Sequence, residues 1–282
     1  MLQWLRPTPG GVYVDATVGA GGHAERLLEA SGPSGTVVGI DRDPEALEVA
    51  RHRLARFGGR VQLVHGNFAA LKTLLHGLGL REVDGVLFDL GVSSLQLRRP
   101  ERGFSFHFPG PLDMRMDPGQ PQTAADLVNR LSEAELADLL RRYGEEPFAR
   151  RIARSIIRRR PLWTTTELVE AVQAAVPRSR WPRRLHVATR TFQALRIATN
   201  RELECLEEAL GQVPEVLRPG GRAVVISFHS LEDRLVKRAF QSDPRLRPLT
   251  RKPVRPDAEE VRANPKARSA RLRVAERVEA SP

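Results

Sequence analysis

Residues 11–23 read Gly-Val-Tyr-Val-Asp-Ala-Thr-Val-Gly-Ala-Gly-Gly-His: a β-rich apolar run ends on Asp15 and breaks into Gly19, Gly21 and Gly22 before a helical pattern starts at His23. Glycines at a strand-to-helix turn let the backbone approach a ligand closely, and the helix N-terminus adds oriented N–H donors. The spacing Gly19, Gly21, Ala24 satisfies G-x-G-x-x-G/A, and Asp41 stands at the end of the next strand, where a carboxylate accepts ribose hydroxyls. A nucleotide-like cofactor is expected at this turn.

Working outward, the first ninety residues alternate short apolar runs with amphipathic stretches, the signature of a parallel sheet with crossover helices. Strands are predicted at Val12 to Ala16, Val37 to Ile40, Val61 to Val64 and Gly85 to Leu90, and helices at His23 to Ala30, Pro44 to Phe57 and Phe68 to Leu75. From about Leu95 the rhythm stops. Residues 98–122, rich in Gly, Pro and charge, read as a long ordered loop, and helices follow at Ser132 to Tyr143, Pro147 to Arg159, Thr166 to Ala175 and Val187 to Leu210. The βα pattern resumes with Ala223 to Phe228 and Leu231 to Gln241, while Asp257 to Pro282 is polar enough to be partly loose. The fold class is α/β: a doubly wound Rossmann-like core with an inserted helical domain. The core is placed at residues 1–104 and 202–282, and the basic helical insertion at 105–201.

The 282 residues carry a formal charge of +11, from 45 Lys and Arg against 34 Asp and Glu. Between Arg141 and Arg201 lie fifteen arginines and only four acids, Glu145, Glu146, Glu167 and Glu170, so this window alone holds an excess of eleven and the rest of the chain balances. A localised basic excess favours a polyanion, because Lys and Arg on phosphates release condensed counterions. The single cysteine, Cys205, rules out an intrachain disulfide and a Cys-based zinc site, and no metal is expected. No run reaches the ~18 apolar residues of a membrane span and the N-terminus has no secretory pattern, so a cytoplasmic protein without membrane partners is expected.

Two features tilt the cofactor from NAD towards S-adenosylmethionine. Asp15, just before the glycines, suits the ammonium of a methionine moiety and repels a pyrophosphate. Gly66-Asn67-Phe68 ends the third strand, where an aromatic flanks an adenine. Taken singly, Asp15 also reads as a turn residue and Phe68 as a core residue. The fourth strand ends in Asp89-Leu90-Gly91-Val92-Ser93-Ser94, followed by Gln96; ligands sit outside the carboxyl ends of strands in open α/β sheets, so Asp89, Ser93, Ser94 and Gln96 are candidates for holding an acceptor. Asp89 and Ser93 also read as helix caps.

At these residues the chain resembles the small-subunit ribosomal RNA (cytosine-N(4))-methyltransferase family, also called the RsmH or MraW family. The matching strings are GVYVDATVGAGGH, GIDRDP, GNF, VDGVLFDLGVSSLQL, RGFSF with GPLDMRM, TFQALRIATNREL, LRPGGRAVVISFHSLEDRLVK and NPKARSARLR, from about Gly11 to Arg273. The resemblance implies transfer of the methionine methyl group to the exocyclic amine of a cytosine in the decoding region of 16S rRNA, with the small ribosomal subunit as partner. It also implies cofactor contacts from Gly21, Gly22, His23, Asp41, Phe68, Asp89 and Gln96, and moves Asp15 to second rank. One departure is the start: family members usually carry a segment of the type H-x-P-V-L-L before the first strand, whereas Met1 to Pro9 stand here.

Methylating cytosine carbon needs a cysteine nucleophile. Cys205 lies in a helical stretch without a Pro-Cys loop, which disfavours that mechanism independently of the resemblance. An exocyclic amine instead needs an acceptor for its N–H groups and alignment of its lone pair with the methyl, for which Asp89 and Ser93 are the candidates. Phe104, Phe106 and Phe108, in the loop from Arg102 to Met116, are candidates for stacking on an exposed base or for anchoring the loop. His229 and Asp233 of FHSLEDR are expected to organise the same face, and Arg150, Arg151, Arg154, Arg158, Arg159 and Arg160 to offer phosphate contacts or a solvated face. The rival readings are a nicotinamide-dependent oxidoreductase on the same glycine turn and a non-catalytic RNA-binding assembly factor.

Overall fold

The computed structural model describes residues 1–182 and 185–279. The chain forms two compact units, Met1–Gly91 with Leu203–Pro282, and Val92–Glu202. In the first unit the order is α1 (Leu2–Leu5), β1 (Val12–Asp15), α2 (Gly22–Ala30), β2 (Thr36–Asp41), α3 (Pro44–Leu54), β3 (Val61–His65), α4 (Leu71–Gly77) and β4 (Val83–Asp89). The second unit supplies α5 (Ser94–Arg98), α6 (Ala124–Arg130), α7 (Glu133–Gly144), α8 (Ala149–Arg159), α9 (Thr165–Ala175) and α10 (Thr189–Asn200). The chain then runs through α11 (Glu202–Val216), β5 (Leu217–Ser227), α12 (Ser230–Ser242), β6 (Leu246–Pro248), α13 (Ala258–Ala263) and β7 (Arg271–Arg277). Among the described residues, no helix is long and apolar enough to cross a membrane.

The seven strands form one sheet in the order β3-β2-β1-β4-β5-β7-β6. The first five run parallel, and β7 and β6 close one side antiparallel. This is a doubly wound α/β fold. β1, β2, β4 and the second half of β5 are apolar almost throughout because both faces are covered, and successive residues feed opposite cores. Val14, Val86, Phe88, Ala223 and Val225 pack with side chains of α4, α11 and α12, whereas Tyr13, Leu87, Val224 and Val274 pack with side chains of α1, α2 and α3. The connection reverses at β1, whose neighbours are β2 and β4, and that reversal opens the crevice where such sheets bind ligands. Helix α3 starts as its sequence predicts: the Asp43 carboxylate accepts the Glu45 N–H at 3.1 Å and Pro44 occupies the first helical position.

The second unit packs its helices around its own apolar core, which includes Leu112, Met114, Leu136, Ile152, Leu168 and Leu195. The loop before α6 is irregular but fixed. Buried Asn200 donates to the Met114 carbonyl at 2.7 Å and accepts the Met116 N–H at 2.8 Å.

Four expectations change. The units divide at Gly91 and Val92 where the sequence suggested residue 104, because Phe104 is buried in the second unit's core and the Arg102 carbonyl accepts the Met114 N–H. The helix expected from Val187 to Leu210 is two, α10 and α11, broken at Arg201 with φ of 49°. The helix expected to reach Phe57 ends at Leu54 and gives way to a 3-10 turn, with Gly58 at φ of 54°. The tail expected to be partly loose contains β7, an interior strand between β5 and β6.

Candidate active site

The site is built where β1, β2 and β4 end. Register pairs Asp15 with Gly39 and Leu87, so Asp41 and Asp89 each reach two residues beyond Asp15 at the same edge. The turn after β1 then folds back through residues of positive φ, Gly19 at 49° and Gly21 at 81°, which cost a side-chain-bearing residue about 1 kcal/mol or more. A Cβ at Gly19 would meet nothing nearer than the Thr17 carbonyl at 3.9 Å, so that side of the turn is open; at Gly21 it would press on Leu54 at 3.2 Å, so that glycine serves packing. Gly21 caps α2, and Gly22 and His23 open it.

Asp41 braces the turn. Its Oδ2 accepts the Gly19 N–H at 2.8 Å and its Oδ1 the Asp43 N–H at 2.9 Å, while burial pushes its pKa up against those two hydrogen bonds. His23 and Asp89 meet: Nε2 lies 3.2 Å from Asp89 Oδ2, with the side chains 37% and 33% exposed. The hydrogen bond to Asp89 raises the His23 pKa despite partial burial, helped by the charges of Asp89 and Asp15. Thr17, which sequence reasoning missed, ties the strand ends together: its hydroxyl accepts the Asp89 N–H at 2.7 Å, and its own N–H donates to Asp15 Oδ1 at 3.3 Å. The only sequence signal for it was its position between Asp15 and the glycines.

Asp15 is fully enclosed, and burial, first among its influences, lifts its pKa from 3.8 to about 7. Without exposure it acts on the site through its field and through Thr17, whereas His23 and Asp89 are the groups presented outward. Asp15 Oδ2 and Asp89 Oδ1 are both buried without a hydrogen-bond partner among the described residues. Buried acceptors left unmade are costly. Together with the Asp41 carboxylate they fit a ligand that brings positive charge and donors, as the ammonium, sulfonium and hydroxyls of S-adenosylmethionine do, and they oppose a pyrophosphate.

Most of the other expected residues have packing or capping partners of their own. Phe68 stands after β3 and packs edge-on to Phe88 with ring centroids 5.7 Å apart, half-buried against the core. Ser93 and Gln96 lie in the second unit and cap α5 reciprocally: Ser93 Oγ accepts the Gln96 N–H at 3.1 Å and Gln96 Oε1 the Ser93 N–H at 3.0 Å. The stacking trio separates. Phe104 is buried core, Phe106 lies against His186 with centroids 4.6 Å apart, and only Phe108, 53% exposed, is open to solvent. His229 caps α12, and its partner Glu232, which is buried, accepts the Phe228 N–H at 2.8 Å; Asp233 receives two hydrogen bonds from buried Arg273 at 2.6 and 3.2 Å. Cys205 is buried, with Asn67 Nδ2 donating to its sulfur at 3.2 Å.

On α8, Ile152, Ala153 and Ile156 face the core while Arg150, Arg151, Arg154, Arg158 and Arg159 are exposed. Arg160 departs from the expected surface set: it is half-buried, and its guanidinium donates to the carbonyls of Val128 and Leu131.

Acidic strand ends around a glycine turn, in a sheet of this order, define the class: an S-adenosylmethionine-dependent methyltransferase of Rossmann-like fold. The sequence profile of the MraW methylase family matches residues 1–278, and the chain belongs to that family. It is similar to "Ribosomal RNA small subunit methyltransferase H" of Geobacter sulfurreducens, with 53% identity over 299 residues covering 99% of this chain and 96% of that one. The protein of the same name from Geobacter sp. (strain M21) shows 51% identity at the same coverage. Among solved structures, a putative rRNA-methylase from Clostridium thermocellum superposes with a TM-score of 0.47 at 15% identity, covering 98% of this chain and 90% of that one.

Proposed function

We propose that the chain methylates small-subunit ribosomal RNA, transferring the methyl group of S-adenosylmethionine to the N4 amine of a cytosine in the decoding region of 16S rRNA. The observation that carries the chemical half is the pair of buried carboxylate oxygens on Asp15 and Asp89, beside the glycine turn, that have no hydrogen-bond partner among the described residues. The substrate half is supported by the names of relatives about half identical over nearly their full length.

S-adenosylmethionine supplies an electrophilic methyl on a cationic sulfur. Gly21, Gly22 and the first turn of α2 would hold its amino-acid end, Asp41 its ribose hydroxyls and Phe68 the adenine side. His23 would fix Asp89 at Oδ2, and because Oδ1 is buried it is this outward-facing oxygen whose second lone pair would accept an N–H of the cytosine amine and draw the nitrogen lone pair out of conjugation. The Asp89 carboxylate would then be the acceptor for the proton that the amine gives up on methylation. Ser93, the other candidate acceptor, already has its oxygen committed to capping α5, so Asp89 is the acceptor we retain. The five exposed arginines of α8 offer phosphate contacts. Mass mapping of 16S rRNA incubated with the protein and labelled S-adenosylmethionine should find label on a cytosine amine; label on cytosine carbon, or none, overturns the reading.

A further inference from the structure

The balance of charge outside the arginine-rich window conceals a second concentration. From Leu203 onward sixteen basic residues stand against twelve acidic ones, and that excess of four lies wholly between Arg251 and Arg271, where seven basic residues meet three acids. The acids, Asp257, Glu259 and Glu260, gather at the start of α13, where Asp257 Oδ1 accepts the N–H groups of the other two.

Topology puts the basic residues beside the site. Strand β7 runs antiparallel to β5, and register pairs Arg271 with Ser227 and Leu272 with Ile226, while Ile226 also pairs with Asp89. The entry to β7 therefore lies at the carboxyl edge, two strands from Asp89. A second segment joins it there: Val254 and Leu272 exchange both backbone hydrogen bonds at 2.9 Å, carrying Arg251, Lys252 and Arg255 to the same edge. Both segments are pinned. Ala267 is buried between exposed Lys266 and Arg268, the Thr250 hydroxyl accepts the Val274 N–H at 3.0 Å, and Arg273 clamps Asp233. Arg251, Lys252, Arg255 and Arg268 are all exposed.

We infer that residues 251–271, including the NPKARSARLR string, form a second RNA-binding surface, on the catalytic unit itself, that holds substrate phosphates at the rim of the site. The inference rests on the rRNA reading above. Its chemistry is a fixed array of cations: holding the segments by backbone pairing and a buried plug means that little ordering entropy is lost on binding, and each phosphate engaged releases counterions. The array also offsets the carboxylates at the strand ends, which would otherwise repel a polyanion.

The test is a quadruple variant, Arg251→Gln, Lys252→Gln, Arg255→Gln and Arg268→Gln, compared with the unmodified chain for binding to 16S rRNA across a salt series. The expected result is weaker binding, by roughly tenfold or more at 0.1 M salt, with the slope of log affinity against log salt reduced by ~0.7 for each phosphate that is no longer neutralised. Affinity for S-adenosylhomocysteine, measured by calorimetry, should stay unchanged and so exclude misfolding. Unaltered rRNA affinity and slope overturn the inference alone. An unmodified chain that does not bind rRNA at all takes the functional reading down with it. Loss of binding to phosphatidylglycerol vesicles, with rRNA binding intact, overturns the inference in favour of a membrane surface.

Discussion

Replacing Asp15 by asparagine removes a carboxyl that burial lifts from 3.8 to about 7 while keeping an oxygen to accept the Thr17 N–H. Between those two values the folded chain binds more protons than the unfolded one, so stability falls as pH rises through the interval and levels off above it. At 1.36 kcal/mol per pKa unit, holding Asp15 in the fold costs about 2 kcal/mol at pH 5 and about 4 kcal/mol at pH 8. Asparagine does not ionise. Asp15→Asn should therefore be more stable than the unmodified chain without cofactor, with a margin that widens by about 2.7 kcal/mol from pH 5 to pH 8. Paired urea denaturations at the two pH values read that margin directly. A cationic methyl donor reverses the balance by favouring the ionised carboxyl, so its affinity for the unmodified chain should climb with pH up to about 7 and that of the variant should not. A stability margin that is equal at both pH values, or that narrows with pH, refutes the argument that enclosure of Asp15 governs its protonation.

The His23–Asp89 pair predicts that Asp89→Asn lowers the His23 pKa towards its ordinary 6.5, followed by NMR titration of the imidazole. The pair's stabilisation is fully present below 6.5 and fades as pH rises through the raised folded value, so a titration unmoved by the substitution would show the two are not coupled. In the second unit, Gly103 sits at φ of 69° and a Cβ there would come within 2.2 Å of the Pro111 carbonyl, against rigid backbone. Gly103→Ala should lower stability by ~2–4 kcal/mol; an unchanged denaturation midpoint would mean that the loop yields.

The first four strands and their crossovers could be read from the sequence because each is a short apolar run, and in β1, β2 and β4 local pattern and tertiary burial agree. β7 could not. In Arg271–Arg277 only Val274 and Ala275 are both apolar and fully buried, and buried Arg273 is tolerated because Asp233, forty residues away, neutralises it. The site residues were visible as types at strand ends, since Asp15, Asp41 and Asp89 close three apolar runs. Their division of labour was not: which carboxylate is enclosed, which braces the turn and which meets His23 depends on the register of β1 against β2 and β4. Ser93 and Gln96 show the converse. Their place just beyond the end of β4 marked them as ligand candidates, whereas the reciprocal cap they form on α5 depends on a helix start that the strand-end reading did not locate.

The interruption of the sheet has a consequence for the order of synthesis. Strand β4 ends at Asp89 and its partner β5 begins only at Leu217. At the ~5–20 residues per second of translation, the ribosome takes on the order of ten seconds to deliver that partner. Throughout this interval the nascent sheet, already carrying β1 to β4, has an open parallel edge of strongly apolar sequence. The intervening segment has its own core and emerges whole during the same wait. Newborn chains should thus be most prone to edge-to-edge association, and most dependent on chaperones, between the completion of β4 and the arrival of β5.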